Sequence, residues 1–351
     1  MNSKKMVITT FSLLLSALVV MGTINFAVDP LFQYHKPWFG LKPYIVSETY
    51  QNPGIAKNFD FDNAVVGNSL TENFLVSDLN DALGGKTVKL TGDGTYVVDW
   101  VHMFELLSNR TEQPKKILID LDPYIFTIPS EKPKSESHLQ FFLYDNNYLN
   151  DVEYLFNFTL TKKYTYKTIE TNIKNNIQDY DKVHMWPVEE LEPGKEKAIK
   201  KYYLDKEKGH NQKCLYTEDN LNLLKEYFEK MENTEFIFFC SPFSVLFWYD
   251  IIEEGLFSEY KESYEKTFRF MSQFENVSVY FWTDSEMIDI VSDLDNYVDS
   301  FHYGPHINKE ILIRIKENNG LLSKDEKIWQ AELDKYFSYL ESYEYSVIFE
   351  Q

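Results

Sequence analysis

Cysteine is almost missing from this chain: Cys214 and Cys240 are the only two in 351 residues. That excludes a disulfide framework as the basis of stability and leaves room for one bridge at most. Cys240 lies in an apolar run and reads as a core residue. Positive charge is also short, with 35 Lys+Arg against 55 Asp+Glu and a net charge of −20. A polyanion-binding surface needs a basic face, and no Lys/Arg stripe is large enough to supply one, so no nucleic-acid partner is expected. Acidity of this kind is mostly solvated surface and says nothing more about function. Internal repeats are lacking too. What the chain has in quantity is hydrophobic residues, at 44%, with 17% aromatic. That supports a sizeable core, arranged as one domain with an insertion rather than two equal domains.

A further scarcity is local. From Met6 to Val28 no charged residue occurs, and as a helix that run would be roughly 34 Å long, enough to cross a bilayer. A cleaved signal peptide has a shorter apolar region and a small-x-small cleavage site. Only Asn25-Phe26-Ala27 comes near such a site. Residues 1–28 therefore read as an uncleaved signal anchor, with a single span. Lys4 and Lys5 place the N-terminus in the cytoplasm and the main domain outside it. Asp29-Pro30 stops the helix. Residues 29–59 form a juxtamembrane arm carrying Phe32, Tyr34, Trp38, Phe39, Tyr44 and Tyr50. Those aromatics suit either the headgroup level or packing against the domain.

An α/β pattern starts near Asp62. Asn63-Ala64-Val65-Val66 reads as a strand, Gly67-Asn68-Ser69 as a tight turn, and the following residues as a helix running to Gly84-Gly85. Thr87–Leu90, Lys116–Asp122, Glu235–Pro242 and Val277–Trp282 are further strands, separated by stretches of helical period. Such alternation predicts βαβ units and a parallel sheet of about five strands. The first part of this domain is residues 60–128 and the second 217–322. Between them, residues 129–216 break the pattern. A structureless loop of that length is improbable, so an inserted subdomain or lid with short helices is expected. Residues 323–351 read as a charged, aromatic helical tail.

Ser69 sits at a strand-to-helix turn, where open α/β sheets place their ligands. A lone serine there ordinarily caps the helix. What raises its interest is Asp299-Ser300-Phe301-His302, an Asp and a His three residues apart late in the chain. Gly67-Asn68-Ser69-Leu70 behind the first strand, Gly94 behind the second, and Asp299-x-x-His302 before the last helix together resemble the SGNH/GDSL hydrolase family. With the anchor and the Asp29-Pro30 exit, the chain looks most like the membrane-anchored extracytoplasmic members, which act in teichoic acid D-alanylation or polysaccharide O-acetylation. The resemblance covers roughly residues 60–125 and 235–317. It implies a flavodoxin-like three-layer α/β/α fold and a serine esterase or acyltransferase that needs no cofactor. Its partners would be an acylated envelope glycopolymer or glycolipid and a membrane-bound O-acyltransferase.

In that chemistry Ser69 is the nucleophile, His302 its base, and Asp299 the group that orients the imidazole. The N–H groups of Ser69 and Gly94 would face the oxyanion. The family's third block normally adds an Asn, but this strand ends Leu121-Asp122-Pro123. Asn68 or Thr95 would have to substitute, while Asp122 and Trp186 join the candidates for substrate contact. Asp299, His302 and His306 are a rival metal set, disfavoured because Gly304-Pro305 interrupts the regular helix that would align them. A non-catalytic accessory protein on the same fold remains the alternative function.

Overall fold

The uncharged run from Met6 forms a single helix, α1 (Ser3–Val28), long and apolar enough to cross a membrane. Only Gly22, Asn25 and Val28 are buried along it. A core helix of a water-soluble domain would instead hide a whole stripe. The computed structural model describes residues 3–132, 141–145, 147, 149–206 and 213–349. It divides into two units, the first made of Met1–Asp60 with Glu136–Val183, the second of Phe61–Ser135 with His184–Gln351.

In the first unit α1 ends at Asp29, whose backbone turns left-handed at φ 43°. The Asp29 carboxylate then accepts the N–H groups of Gln33, Tyr34 and His35 and the Tyr154 hydroxyl. A second helix, α2 (Glu48–Asn58), follows. Short helical pieces at Val152–Leu155 and Phe158–Leu160 lead through a π-helical turn, Thr161–Thr165, into Tyr166–Ile173. Leu31, Leu143, Tyr154, Leu160 and Tyr164 form the core of this unit. The segment expected as an arm and much of the segment expected as one insert thus build a common body. Residues 184–206 belong to the second unit instead.

The second unit is built on five runs rich in β-branched and aromatic residues. They form β1 (Asn63–Gly67), β2 (Thr87–Thr91), β3 (Lys116–Asp120), β4 (Glu235–Phe239) and β5 (Val277–Tyr280). All pair in parallel, in the order β2-β1-β3-β4-β5. Both faces are covered, which is why the strands read as continuous apolar runs. The helices are α3 (Ser69–Glu72), α4 (Val76–Leu83), α5 (Val97–Ser108), α6 (Lys195–Lys206), α7 (Thr217–Lys230), α8 (Val245–Glu253), α9 (Phe257–Met271), α10 (Ser285–Ser292), α11 (Pro305–Lys316) and α12 (Glu326–Ser342). Val65, Leu118 and Ile237 cluster with Leu79 and Leu83 of α4 and with Ile307 and Ile311 of α11. On the opposite face Phe236 and Phe238 meet Phe228 of α7, and Phe236 also meets Phe104 of α5. The sheet is therefore the middle of three layers.

One expectation needs correction. The helix expected from Ser69 to Gly84 is broken at Asn73-Phe74-Leu75 into α3 and α4; Phe74 turns inward there, fully buried, and meets Phe239 edge-on. The C-terminal tail is helical over α12, which buries Trp329, Leu333, Tyr336, Phe337 and Leu340 and packs on α9.

Asp120, at the carboxyl end of β3, is fully buried and accepts the Ser241 hydroxyl at 2.6 Å. Burial, then the charge of nearby Asp122, pushes its carboxyl well above the ordinary range. A carboxyl raised on folding contributes stability while protonated and loses it as pH climbs towards the raised value. Wild type should therefore lose unfolding temperature as pH rises above about 4, and Asp120→Asn should lose less. An equal loss in both proteins would refute this assignment.

Candidate active site

Strand order β2-β1-β3 puts a topological switch point between β1 and β3, the crevice in which open α/β sheets bind ligands. Both edges of that crevice carry polar side chains. β1 ends at Gly67, where a Cβ would come within 2.8 Å of the Thr71 side chain. Only glycine leaves room for the chain to turn so sharply into α3. Asn68, not Ser69, caps α3: its Oδ1 accepts Leu70 N–H at 3.0 Å and its carbonyl accepts Thr71 N–H at 3.0 Å. The Ser69 hydroxyl is thereby released from capping. As the first residue of the helix, Ser69 also has an N–H without an intrahelical acceptor.

That hydroxyl meets His302. Ser69 Oγ lies 2.9 Å from His302 Nε2, and His302 Nδ1 lies 2.8 Å from Asp299 Oδ2. With Nδ1–H donating to the carboxylate, Nε2 is left as the acceptor for the serine proton. The loop that presents the pair is tied at its base by the Val298 N–H to His302 carbonyl bond (2.7 Å) and the Gly304 N–H to Asn296 carbonyl bond (2.9 Å). Ser244, which caps α8, fastens its tip by donating to the Ser300 carbonyl at 2.6 Å. Inside the loop Asp299 Oδ1 accepts the N–H groups of Phe301 and His302. Burial alone would raise the Asp299 carboxyl. The His302 charge, the ring hydrogen bond and the two backbone donors outweigh burial and hold it below the usual range. Lys201 on α6 adds a cation 3.9 Å from Asp299 Oδ2.

The other candidates separate into groups. Gly94 takes a left-handed turn at φ 60° behind β2, a conformation glycine adopts without strain. Thr95 is occupied elsewhere: its hydroxyl donates to the Gly67 carbonyl at 3.0 Å and accepts Trp100 Nε1–H at 3.2 Å. It fastens the β2 turn to the end of β1 and has no proton left for an oxyanion. Asn68 Nδ2 donates to Asp122 Oδ2 at 2.9 Å, bridging the two sides of the switch point. Asp122 thus holds Asn68 in place across the switch point. His306 is turned away, its Nε2 2.9 Å from Asn296 Oδ1. Gly304 caps α11 and Pro305 opens it, so His302 lies outside the helix. Among the described residues no group of three His, Cys, Asp or Glu is arranged to hold a metal.

Compared with known proteins, the sequence matches no family model and no curated relative. The site therefore has to be read from its own geometry.

Trp186 is the candidate that gains most. Its indole lies 4.8 Å from the His302 ring, and its Nε1–H donates to Glu72 Oε2 at 2.5 Å. Its backbone N–H is held by Asn73 Oδ1 at 3.0 Å. Phe301 flanks the same imidazole, at 4.3 Å between centroids. Two residues escaped the sequence reading, Glu72 and Lys89. Lys89 is buried within β2 and donates to the carbonyls of Glu72 and Phe74, securing the end of α3. A lysine inside the run Thr87-Val88-Lys89-Leu90 was the available signal, because an ammonium is rarely buried in a strand without fixed acceptors.

Proposed function

We propose that this chain is a serine esterase or O-acyltransferase of the SGNH/GDSL type, acting outside the cytoplasm on acyl esters of an envelope glycopolymer or glycolipid. In this reading α1 is a single span with a cytoplasmic N-terminus, and the domain works close to membrane-linked polymer. The observation that carries the proposal is the Ser69–His302–Asp299 relay, with both hydrogen bonds made, at the switch point of a parallel sheet.

The chemistry follows from the donors. Ser69 Oγ attacks the ester carbonyl carbon while its proton passes to His302 Nε2, and the carbonyl electron pair moves onto oxygen. The N–H groups of Ser69 and Gly94 stabilise that oxyanion. Collapse expels the alcohol, which leaves with the proton from His302, and the acyl group stays on Ser69. A second hydroxyl then gives its proton to His302 and attacks, and Ser69 departs as the neutral alcohol. Water in that role makes the reaction hydrolysis; a sugar or polyol hydroxyl makes it transfer. The Trp186 indole beside His302 is suited to stacking on a sugar face, which favours a polymer over a small soluble ester.

One observation favours the accessory reading. The Thr95 hydroxyl is committed to Gly67 and one of the two Asn68 amide N–H groups to Asp122, so the oxyanion would rest chiefly on backbone N–H groups. Such a protein would bind polymer or a membrane-bound O-acyltransferase without turning over. Ester content of the envelope polymers separates the possibilities. A deletion strain and its Ser69→Ala complement should show the same change, fewer esters for transfer and more for deacylation. Restoration of normal ester content by Ser69→Ala would sink the catalytic proposal and leave the accessory one.

A further inference from the structure

We infer that the first unit is a membrane-surface collar: it buries Trp38, Phe39, Phe156 and Phe158 in the lipid headgroup layer around the exit of α1. This rests on the reading of α1 as a membrane span. Ser3-Lys4-Lys5 form the charged entry of α1, so what meets a hydrocarbon core of about 30 Å is the uncharged run from Met6 to Val28, roughly 34 Å long at about 1.5 Å per residue. The excess of roughly 4 Å corresponds to about three residues. The last turn, from about Asn25 to Val28, therefore emerges into the headgroup layer, with Gly22 about one turn below it.

Two segments of chain, one nearby in sequence and one distant, are fastened to the end of this helix. On one side a Cβ at Gly22 would come within 2.8 Å of the Phe156 ring, so that ring lies directly against the helix just below the exit turn. Asn25 Nδ2 donates to the Leu155 carbonyl and to Thr161 Oγ1, both at 2.8 Å, and its Oδ1 accepts the Thr165 hydroxyl at 2.7 Å. A buried asparagine satisfied in this way ties the segment from Leu155 to Thr165 to the helix at a defined height. On another side His35 Nε2 lies 2.9 Å from the Phe26 carbonyl, and the Phe26 ring meets Trp38 edge-on at 5.9 Å. Trp38 in turn stacks on His35 at 3.5 Å and meets Phe39 at 6.1 Å.

These contacts hold large apolar side chains at the level where α1 emerges, and leave them open. Phe39 is 82% exposed, Phe158 73%, Phe156 42% and Trp38 41%. Scattered exposed aromatics are ordinary on a protein surface; several held against the exit turns of one membrane-length helix are not scattered. Aromatic rings are favoured at the headgroup level, where an apolar body and a polar edge both find partners. Exposed Lys162 and Lys163 lie four and five positions beyond Phe158, and their long stems allow the ammonium groups to reach lipid phosphates while the methylenes stay low. In a chain of net charge −20, that pair is the complement an anionic lipid surface requires. The collar would hold the first unit flat on the bilayer instead of letting it swing on a single helix.

Depth-dependent quenching tests this on the full chain. Phe39→Cys, Phe158→Cys and Leu14→Cys are made in a Cys214→Ser background, labelled with an environment-sensitive fluorophore, and reconstituted into phosphatidylcholine–phosphatidylglycerol vesicles. Labels at 39 and 158 should be quenched by lipid carrying a nitroxide near the headgroup and shielded from aqueous iodide. The label at 14 should be quenched by nitroxide deep in the acyl chain. If the label at 14 is quenched but those at 39 and 158 stay open to iodide, the collar is wrong and those rings serve solvent or a protein partner. If the label at 14 is also unquenched, the membrane reading itself has failed and the collar falls with it.

Discussion

Ser69→Ala is expected to abolish labelling by a fluorophosphonate probe and to lower acyl-ester turnover by roughly 10⁴- to 10⁶-fold, the range seen when one member of a serine–histidine relay is lost. The size of the effect comes from the geometry. Ser69 Oγ is the only atom of the residue that the change removes, and Asn68 rather than Ser69 caps α3. The fold should therefore be untouched, and circular dichroism and unfolding temperature should match wild type. A fall in activity matched by a fall in stability would point to damaged structure instead. Wild-type protein that stays unlabelled while correctly folded would count against the nucleophile and towards the accessory role.

Asp299→Asn should be nearly as severe, at about 10⁴-fold in rate, through a different route. The carboxylate accepts Nδ1–H at 2.8 Å and so leaves Nε2 unprotonated towards Ser69. An amide at the same place can present its own N–H to Nδ1. The imidazole then carries its proton on Nε2, facing the serine, and has no lone pair there to take the serine proton. Fluorophosphonate labelling should slow by a similar factor with Ser69 still in place. The same substitution carries a stability signature of definite sign. Asp299 is held below the ordinary carboxylate range, so its contribution is present above about pH 4 and is lost as pH falls through the depressed value. Wild type should accordingly lose more unfolding temperature than Asp299→Asn in that acid window. If the variant keeps near-normal turnover, Asp299 is not the orienting group.

Much of the second unit was legible because its signals are local. Runs such as Ile117-Leu118-Ile119 and Phe236-Ile237-Phe238 announce buried parallel strands, and Gly94 marks a left-handed turn that other residues strain to make. Asp299 and His302 were readable as a pair because three residues separate them in one loop. Strand ends were less visible: β3 stops at Asp120 and β4 at Phe239, although apolar residues run on. Nothing local records where a ladder loses its neighbour.

The sequence by itself determined that α1 is membrane-length, that five strands alternate with helices, and which serine, histidine and aspartate deserved attention. Only the tertiary structure decided which of them meet. The Ser69–His302 contact joins residues 233 apart in sequence, and no periodicity encodes a distance of that kind. Tertiary structure also decided that Asn68 is the cap and the serine is free, that Thr95 and Asp122 are spoken for by Gly67 and Asn68, and that Trp186 lies against the imidazole. It made one core from Leu31 and Tyr154, residues that sequence reading had put in an arm and an insert. The physical reason is the same in each case. Hydrogen-bond partners and packing neighbours are set by which surfaces the chain brings together, and a local pattern specifies the surface without specifying its mate.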